Sequence, residues 1–233
     1  MSWKPPGPGA LDDLAWPETL AAHAVEPGLS DDRLHGYAVL GDLSKHYSSS
    51  DLLYLAIQGE LPDERASRVF ALAHAALATL SVREAPAHVA ILSRICGAHL
   101  SSALGAGAIT LAESAHRLLD EHAPLLAWLA HPDGDLPPAF HNPDPADTWV
   151  TSLVDAARAH QVDVSLVRDS MSRDAARLAL LFEAGICDAE RMQAAIIATR
   201  FTGVVAEALL SRPEHLNLYP VKLPPYQYVE PES

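Results

Sequence analysis

The feature that most constrains this chain is the spacing of its apolar residues. Beyond about residue 31 they recur at intervals of three and four, with Ala and Leu dominating, and runs of β-branched residues are scarce outside Ile196 and Ile197. That interval is the period of a helix and not of a strand. Ala and Leu also rank among the residues that enter a helix at least cost. An all-α chain is therefore predicted, with helices over 38–45, 50–58, 63–80, 86–104, 107–130, 146–160, 164–184 and 188–211. Ser50 and Asp51 read as a helix cap, Pro62 suits a first turn, and Gly185 stands where a terminating glycine belongs. Prolines break the pattern in three places. Pro5, Pro6, Pro8, Pro17 and Pro27 make 1–30 an extended arm with at most a short helix at 18–24. Six Pro and Gly residues make 131–145 the one long internal loop, dividing a helical domain of 31–212 into two halves. A Pro- and Tyr-rich tail fills 213–233.

Composition narrows the function. With 233 residues, 49% of them hydrophobic, the chain can fill a sizeable core. A formal charge of -14, from 16 basic and 30 acidic side chains, excludes sequence-independent nucleic-acid binding, which needs cations to neutralise phosphates. No basic recognition helix is present either, so a helical transcription regulator is set aside. The start of the chain, residues 1–10, has no apolar segment behind a basic one, and no run of 18 apolar residues occurs, so neither secretion nor a membrane is expected. Cys96 and Cys187 are too few for a disulfide framework or a zinc site and fit a reducing compartment, the cytoplasm. Twelve histidines include no HExxH, so no metal is expected. Nucleophile-elbow and phosphate-loop motifs are missing. Gly105 and Gly107 lie in an Ala-rich helical stretch, where small residues permit close packing.

Two charged residues stand on apolar helix faces. Asp174 shares its face with Leu178, Leu181 and Phe182, which points its carboxylate toward the core side, where burial raises a carboxyl pKa and suits it to act as a base. The plainer alternative is a helix cap or an ion pair with Arg177 three residues on. Arg200 is flanked by Ile196, Ile197 and Val204, with Gly203 beside it giving room for a close approach. A guanidinium keeps its proton, so an apolar setting demands an anion, either a ligand carboxylate or an internal Asp or Glu. His116 and His141 stand out only by lying just before and within the loop-rich middle, where a cleft between two helical halves would open.

Taken in order, several segments resemble the citrate synthase superfamily, especially its compact citryl-CoA lyase-like members. Leu34-His35-Gly36-Tyr37 with Leu40 to Leu43 is similar to that family's hydrophobic-Arg-Gly-Tyr segment and the Asp-Leu after it. The strongest segment is Ser50 to Pro62, a helix ending in Gly-Glu-Leu-Pro. Ala87 to Ala90, Cys96 to Ala98 and the small-residue helix 102–109 resemble the approach to the family's His-Gly-Gly-Ala motif, and counting on from Gly97 places His116 at that histidine. Phe140 to Pro145 resembles a shortened Gly-Phe-Gly-His segment running into Asp-Pro-Arg, with His141 as its histidine. Ser172-Arg173-Asp174 and the helix after it resemble the Asn-Val-Asp segment, Arg200 to Gly203 the Arg-x-x-Gly that holds a substrate carboxylate, and Arg212-Pro213 the closing Arg-Pro segment.

The resemblance implies a compact, shortened citrate synthase-like all-α fold with extended terminal arms, working as a homodimer in which Arg212 reaches a partner subunit's site. It also implies Claisen chemistry between an acetyl-CoA-type thioester and a keto acid such as oxaloacetate, in either direction, with no tightly bound cofactor. In it Asp174 is the base, His116 and His141 are polarising groups, and Arg200 and Arg212 hold substrate carboxylates. An aspartate on an apolar face suits a general base, and an arginine there suits a carboxylate. Departures from the pattern define a second expectation. Arg117-Leu118-Leu119 follows His116 where the family has Gly-Gly-Ala, Leu80 to Arg83 replaces an Asp-His pair, and the loop His131 to Asp135 is acidic where CoA phosphates need cations. These point to a relative that binds a small carboxylate or a partner protein without turnover.

Overall fold

The computed structural model describes residues 22–218, and the chain separates into two compact units, one up to Ser48 and one from Ser49 onward. The division falls later than the expected end of the arm at residue 30, because residues 25–46 fold on themselves. Three short antiparallel strands, β1 (Val25–Glu26), β2 (Arg33–Leu34) and β3 (Tyr37–Ala38), form a sheet in that order, pairing Val25 with Leu34 and Leu34 with Tyr37. The β2–β3 turn is His35-Gly36, both at positive φ (48° and 85°), as a two-residue hairpin turn of matching twist requires. Helical period alone gives no sign of this sheet. A π-helical turn, Val39–Leu43, and α1 (Ser44–His46) follow, in place of the regular helix predicted for 38–45. Asp31 accepts the Leu40 and Gly41 amides at 2.8 and 2.7 Å, and the Leu40 bond above all holds its carboxyl below the usual range. Most of the predicted helix at 18–24 and the tail beyond 218 lie outside the described residues.

The second unit is built on helices joined by irregular segments: α2 (Ser49–Gln58), α3 (Glu64–Ala78), α4 (Ala85–Ile95), α5 (Leu100–Glu121), α6 (Ala123–Ala130), α7 (Trp149–Ala159), α8 (Arg173–Glu183) and α9 (Ala189–Leu210). Its ends follow local chemistry. Asp63, Ser172 and Asp188 accept the amides of Ala66, Ala175 and Arg191 and so cap α3, α8 and α9. Pro62 accordingly lies ahead of the α3 cap and outside its first turn. Gly185 ends α8 at φ 88°, as its sequence position suggested.

Three predicted boundaries moved, one of them the helix expected over 107–130, which is divided at His122 into α5 and α6. The break expected near 105 lies at Gly97, whose φ of 87° ends the α4 region, and α5 runs unbroken through Gly105 and Gly107. The helix expected from 164 begins only at Arg173, because Ser172 caps it there. Val162, Val164 and Val167 are buried in the irregular segment before it, so apolar spacing there mimics a helix.

One core joins α2, α3, α5, α6, α7, α8 and α9, with Phe70, Leu77, Leu125, Leu129, Met171, Leu178, Leu180 and Leu181 fully buried. The proline-rich stretch 131–145 therefore does not divide the helices into halves. Leu136 and Phe140 enter this core, and the Phe140 carbonyl and Asn142 amide bond Ser172 and Ser170, each at 2.8 Å. At the centre lies α9, which packs on α2, α3, α4 and α5 and buries Met192, Ala195, Ile196, Thr199, Arg200, Val204 and Ala208. Its length and composition would also suit a membrane span, with mean hydropathy 1.3 over an 18-residue stretch. A third of that stretch is buried, along the one face carrying Met192, Ile196, Arg200, Val204 and Ala208 that packs on the other helices.

Candidate functional site

Arg200 sits on α9, one turn before the point where helix packing is closest. A Cβ on Gly203 would lie 2.8 Å from Leu80 Cβ and 3.0 Å from the Ala78 carbonyl oxygen, so only glycine lets the end of α3 approach. A Cβ on Gly107 of α5 would lie 2.5 Å from Val204 Cγ1. These two contacts fix α9 against α3 and α5. They also bring the connector between α3 and α4 to the Arg200 side chain.

That connector supplies the anion opposite Arg200. Glu84, at the N-cap of α4, accepts from Arg200 Nη2 through Oε2 and from the Ser81 amide through Oε1, the latter at 2.9 Å. Arg200 Nε is buried and has no hydrogen-bond partner among the described residues. One of the two partners expected for an arginine in this setting, an internal carboxylate, is thus in place at Glu84.

Beside this pair opens a cleft of about 430 Å³. Its walls are Arg83, Glu84 and Pro86 at the start of α4, Ser114, Arg117 and Glu121 on α5, Asp174 at the start of α8, and Arg200 on its α9 wall. A second cleft of about 410 Å³ shares Glu84 and Asp174 and is lined by Thr79, Leu80, Ser81, Arg173 and Arg177. Asp174 thus faces both hollows. Its side chain is 45% exposed and accepts from Arg177 Nη1 at 2.9 Å. The expectation of a core-facing, desolvated carboxylate is corrected: the first turn of α8 projects it into the clefts.

Arg177 in turn donates from Nε to the Ala76 carbonyl at 3.1 Å and lies over the Trp149 ring at 5.0 Å. Arg173 lies 5.8 Å from the same ring and forks onto Asp147 at 2.7 and 2.9 Å. The bond from Arg173, with help from the Trp149 amide, holds the Asp147 carboxyl below its usual value.

No family model matches the sequence, and no curated protein matches it. Solved structures do. Citryl-CoA lyase from Hydrogenobacter thermophilus is similar with a TM-score of 0.57 and 18% identity, over 90% of this chain and 97% of that one. The fold is citrate synthase-like. ATP citrate lyase from Methanosaeta concilii, in complex with (3S)-citryl-CoA, is similar with a TM-score of 0.58 and 16% identity, over 96% of this chain and 44% of that one. The enzyme from Methanothrix soehngenii, in complex with citrate and coenzyme A, gives 0.56 and 15% over 96% and 45%. The chain thus spans nearly all of citryl-CoA lyase and less than half of each ATP citrate lyase.

Within this citrate synthase-like fold the expected site residues divide into two groups. Asp174 and Arg200 line one cleft. His116 and His141 do not line it. His116 lies on the outer face of α5, 63% exposed, with Nε2 3.4 Å from Asp120. Helix phase explains this: Leu111, Ala115 and Leu119 are buried, the cleft takes the face carrying Ser114, Arg117 and Glu121, and His116 projects from the other flank. His141 is exposed beside the Met171 bridge, its Nε2 3.1 Å from the Leu136 carbonyl. Arg212 is exposed just past α9 and lines neither cleft.

Sequence reasoning missed Glu84, Arg83 and Arg117. Only one of the Glu84 contacts had a local signal, the Ser81-x-x-Glu84 spacing that accompanies its bond to the Ser81 amide; its contact with Arg200 had none. The signal for Arg117 was the α5 period itself.

Proposed function

We propose that the chain acts on a coenzyme A thioester in this cleft, making or breaking a carbon–carbon bond between an acetyl thioester and a 2-keto acid. The observation that carries the reading is the meeting of Asp174 and Arg200, from different helices, on one cleft of a citrate synthase-like fold. In the condensing direction Asp174 takes a proton from the thioester methyl group. The resulting carbanion adds to the keto carbon, and the new alkoxide takes up a proton. In the cleaving direction the hydroxyl loses its proton, the carbon–carbon bond breaks toward the thioester, and the Asp174 carboxylic acid returns the proton to the methylene carbon. Arg200 supports a substrate carboxylate, His116 and His141, expected as polarising groups, lie off this cleft and are to be tested by substitution, and Arg212 serves the site of a second copy in a homodimer. The thioester is substrate, and no resident cofactor is called for. Exposed thiols at Cys96 and Cys187 suit a reducing cytoplasm.

A second reading, binding of a small carboxylate without turnover, is favoured by the outward placement of His116 and by the Arg117 side chain on the cleft side. One experiment separates the two. The protein is incubated with acetyl-CoA in deuterium oxide, alone and with pyruvate or oxaloacetate, while NMR follows methyl deuteration and the formation of a new carbon–carbon bond. The enzyme reading expects exchange that Asp174→Asn abolishes. Calorimetric binding of a keto acid with no CoA binding and no exchange establishes the second reading instead.

A further inference from the structure

We infer that Arg177 is a positioning residue for Asp174: it holds Oδ1, so that Oδ2 is the oxygen that takes the thioester methyl proton and returns it in the cleaving direction. The inference rests on the base role proposed above. Asp174 is not spent as a helix cap, because Ser172 already accepts the Ala175 amide at the start of α8. It projects half exposed into both hollows, where a carboxylate samples several rotamers unless a partner selects one. That partner is Arg177 Nη1, 2.9 Å from Oδ1. Oδ2 carries no bond among the described residues.

An arginine three residues on from an aspartate is ordinarily a loose surface pair. Asp155 and Arg158 on α7 form one, with both ends in solvent. Arg177 differs. Its side chain is 12% exposed, and two elements outside α8 pin the guanidinium. Ala76, near the end of α3, accepts from Nε at 3.1 Å, and the Trp149 ring at the start of α7 lies 5.0 Å away. A guanidinium is a rigid plane, so fixing Nε and one face fixes where Nη1 points. Arg173, the other cation beside Asp174 on α8, is drawn away to Asp147. The carboxylate is thereby anchored to α3 and α7 as well as to its own helix, and such an orienting bond is what a general base needs.

The test is methyl exchange of acetyl-CoA in deuterium oxide, read as kcat and KM for wild type, Arg177→Met, Arg177→Lys and Arg158→Met, thermal melts confirming that each variant folds. Arg177→Met is expected to lower kcat about 10–100-fold, the cost of a base displaced by up to an ångström, with KM little changed. Arg177→Lys keeps the charge but lacks the planar fork that reaches Ala76 and Asp174 together, so it is expected to stay about tenfold slow or slower. It remains informative if Arg177→Met does not fold. Arg158→Met, which breaks the surface pair of the same spacing, exchanges as wild type does. Wild-type kcat in either folded Arg177 variant, or a raised KM with kcat unchanged, overturns the positioning role and leaves the base reading standing. Absence of exchange in the wild-type protein overturns the base reading and this inference with it.

Discussion

Glu84 and Arg200 meet from positions 116 residues apart in sequence, and the two ends of their contact differ in exposure, 39% of the Glu84 side chain against 7% of Arg200. Removing either partner is therefore not the same experiment. Arg200→Met deletes the buried charge, keeps most of the volume and leaves a carboxylate that water can solvate, so unfolding free energy is expected to fall by no more than about 1 kcal/mol. Glu84→Ala strands a guanidinium in a nearly closed setting and is expected to cost about 2–3 kcal/mol. Urea unfolding of the two variants decides it. Equal losses would mean that the contact behaves as an ordinary surface pair.

Glycines on two neighbouring helices should respond in opposite directions. Nothing lies within 4 Å of a Cβ built on Gly105, so Gly105→Ala gains helix propensity at no steric cost and is expected to stabilise by about 0.5–1 kcal/mol. Gly203→Ala pushes against the Ala78 carbonyl and Leu80, and the expected loss is about 1–3 kcal/mol despite the same propensity gain. Melting temperatures that move in the same direction for both would refute the packing assignment.

Acid sensitivity has two legible contributors, Asp31 and Asp147, and the second is tied to a single side-chain partner. Arg173 holds the Asp147 carboxyl low, so the folded state releases this proton more readily than the unfolded chain. The pair's stability is then present above the ordinary aspartate range and is lost as pH falls through the lowered folded value. Compared across a pH series, Asp147→Asn should melt below wild type at neutral pH and converge with it in acid. A gap that stays constant down to strong acid would show that the contact carries no linkage.

Arg177 ties Asp174 to the Trp149 ring and to the end of α3. A double-mutant cycle of Arg177→Met and Trp149→Leu is expected to give a coupling of about 0.5–2 kcal/mol, the range for a desolvated cation over an indole. Additive losses would remove the ring from the account.

The helical class and most helix positions of the second unit were legible because apolar period and cap chemistry are local properties. The Gly185 stop follows from a few neighbouring residues, whereas Ser50 and Asp51, read as a cap, lie inside the first turn of α2, and the caps that form at Asp63 and Asp188 were not anticipated. The sheet at 25–38 escaped because two-residue strands are too short to show a period, and the late start of α8 because buried valines in an irregular segment carry apolar spacing without a helix. For the cleft, Asp174 and Arg200 were found through their unusual surroundings, and Gly203 through its nearness to Arg200. Glu84 was not found, since nothing local says that a connector glutamate folds onto an arginine more than a hundred residues away. The histidines show the limit of motif order: His116 follows the right count, yet one position of helix phase, about 100°, turns it out of the cleft and turns Arg117 in.

The glycine contacts of α9 have a consequence for how the hollow can respond. With Gly203 against Leu80 and Gly107 against Val204, the α9 wall behind Arg200 is bolted to its neighbours by backbone-level contact. The opposite rim, Ser81 to Glu84, is a short turn with Arg83 out in solvent. Such a site has an anvil and a jaw. Glu84 ties the end of that jaw to the anvil through Arg200, so the side chain left to adjust is the exposed Arg83.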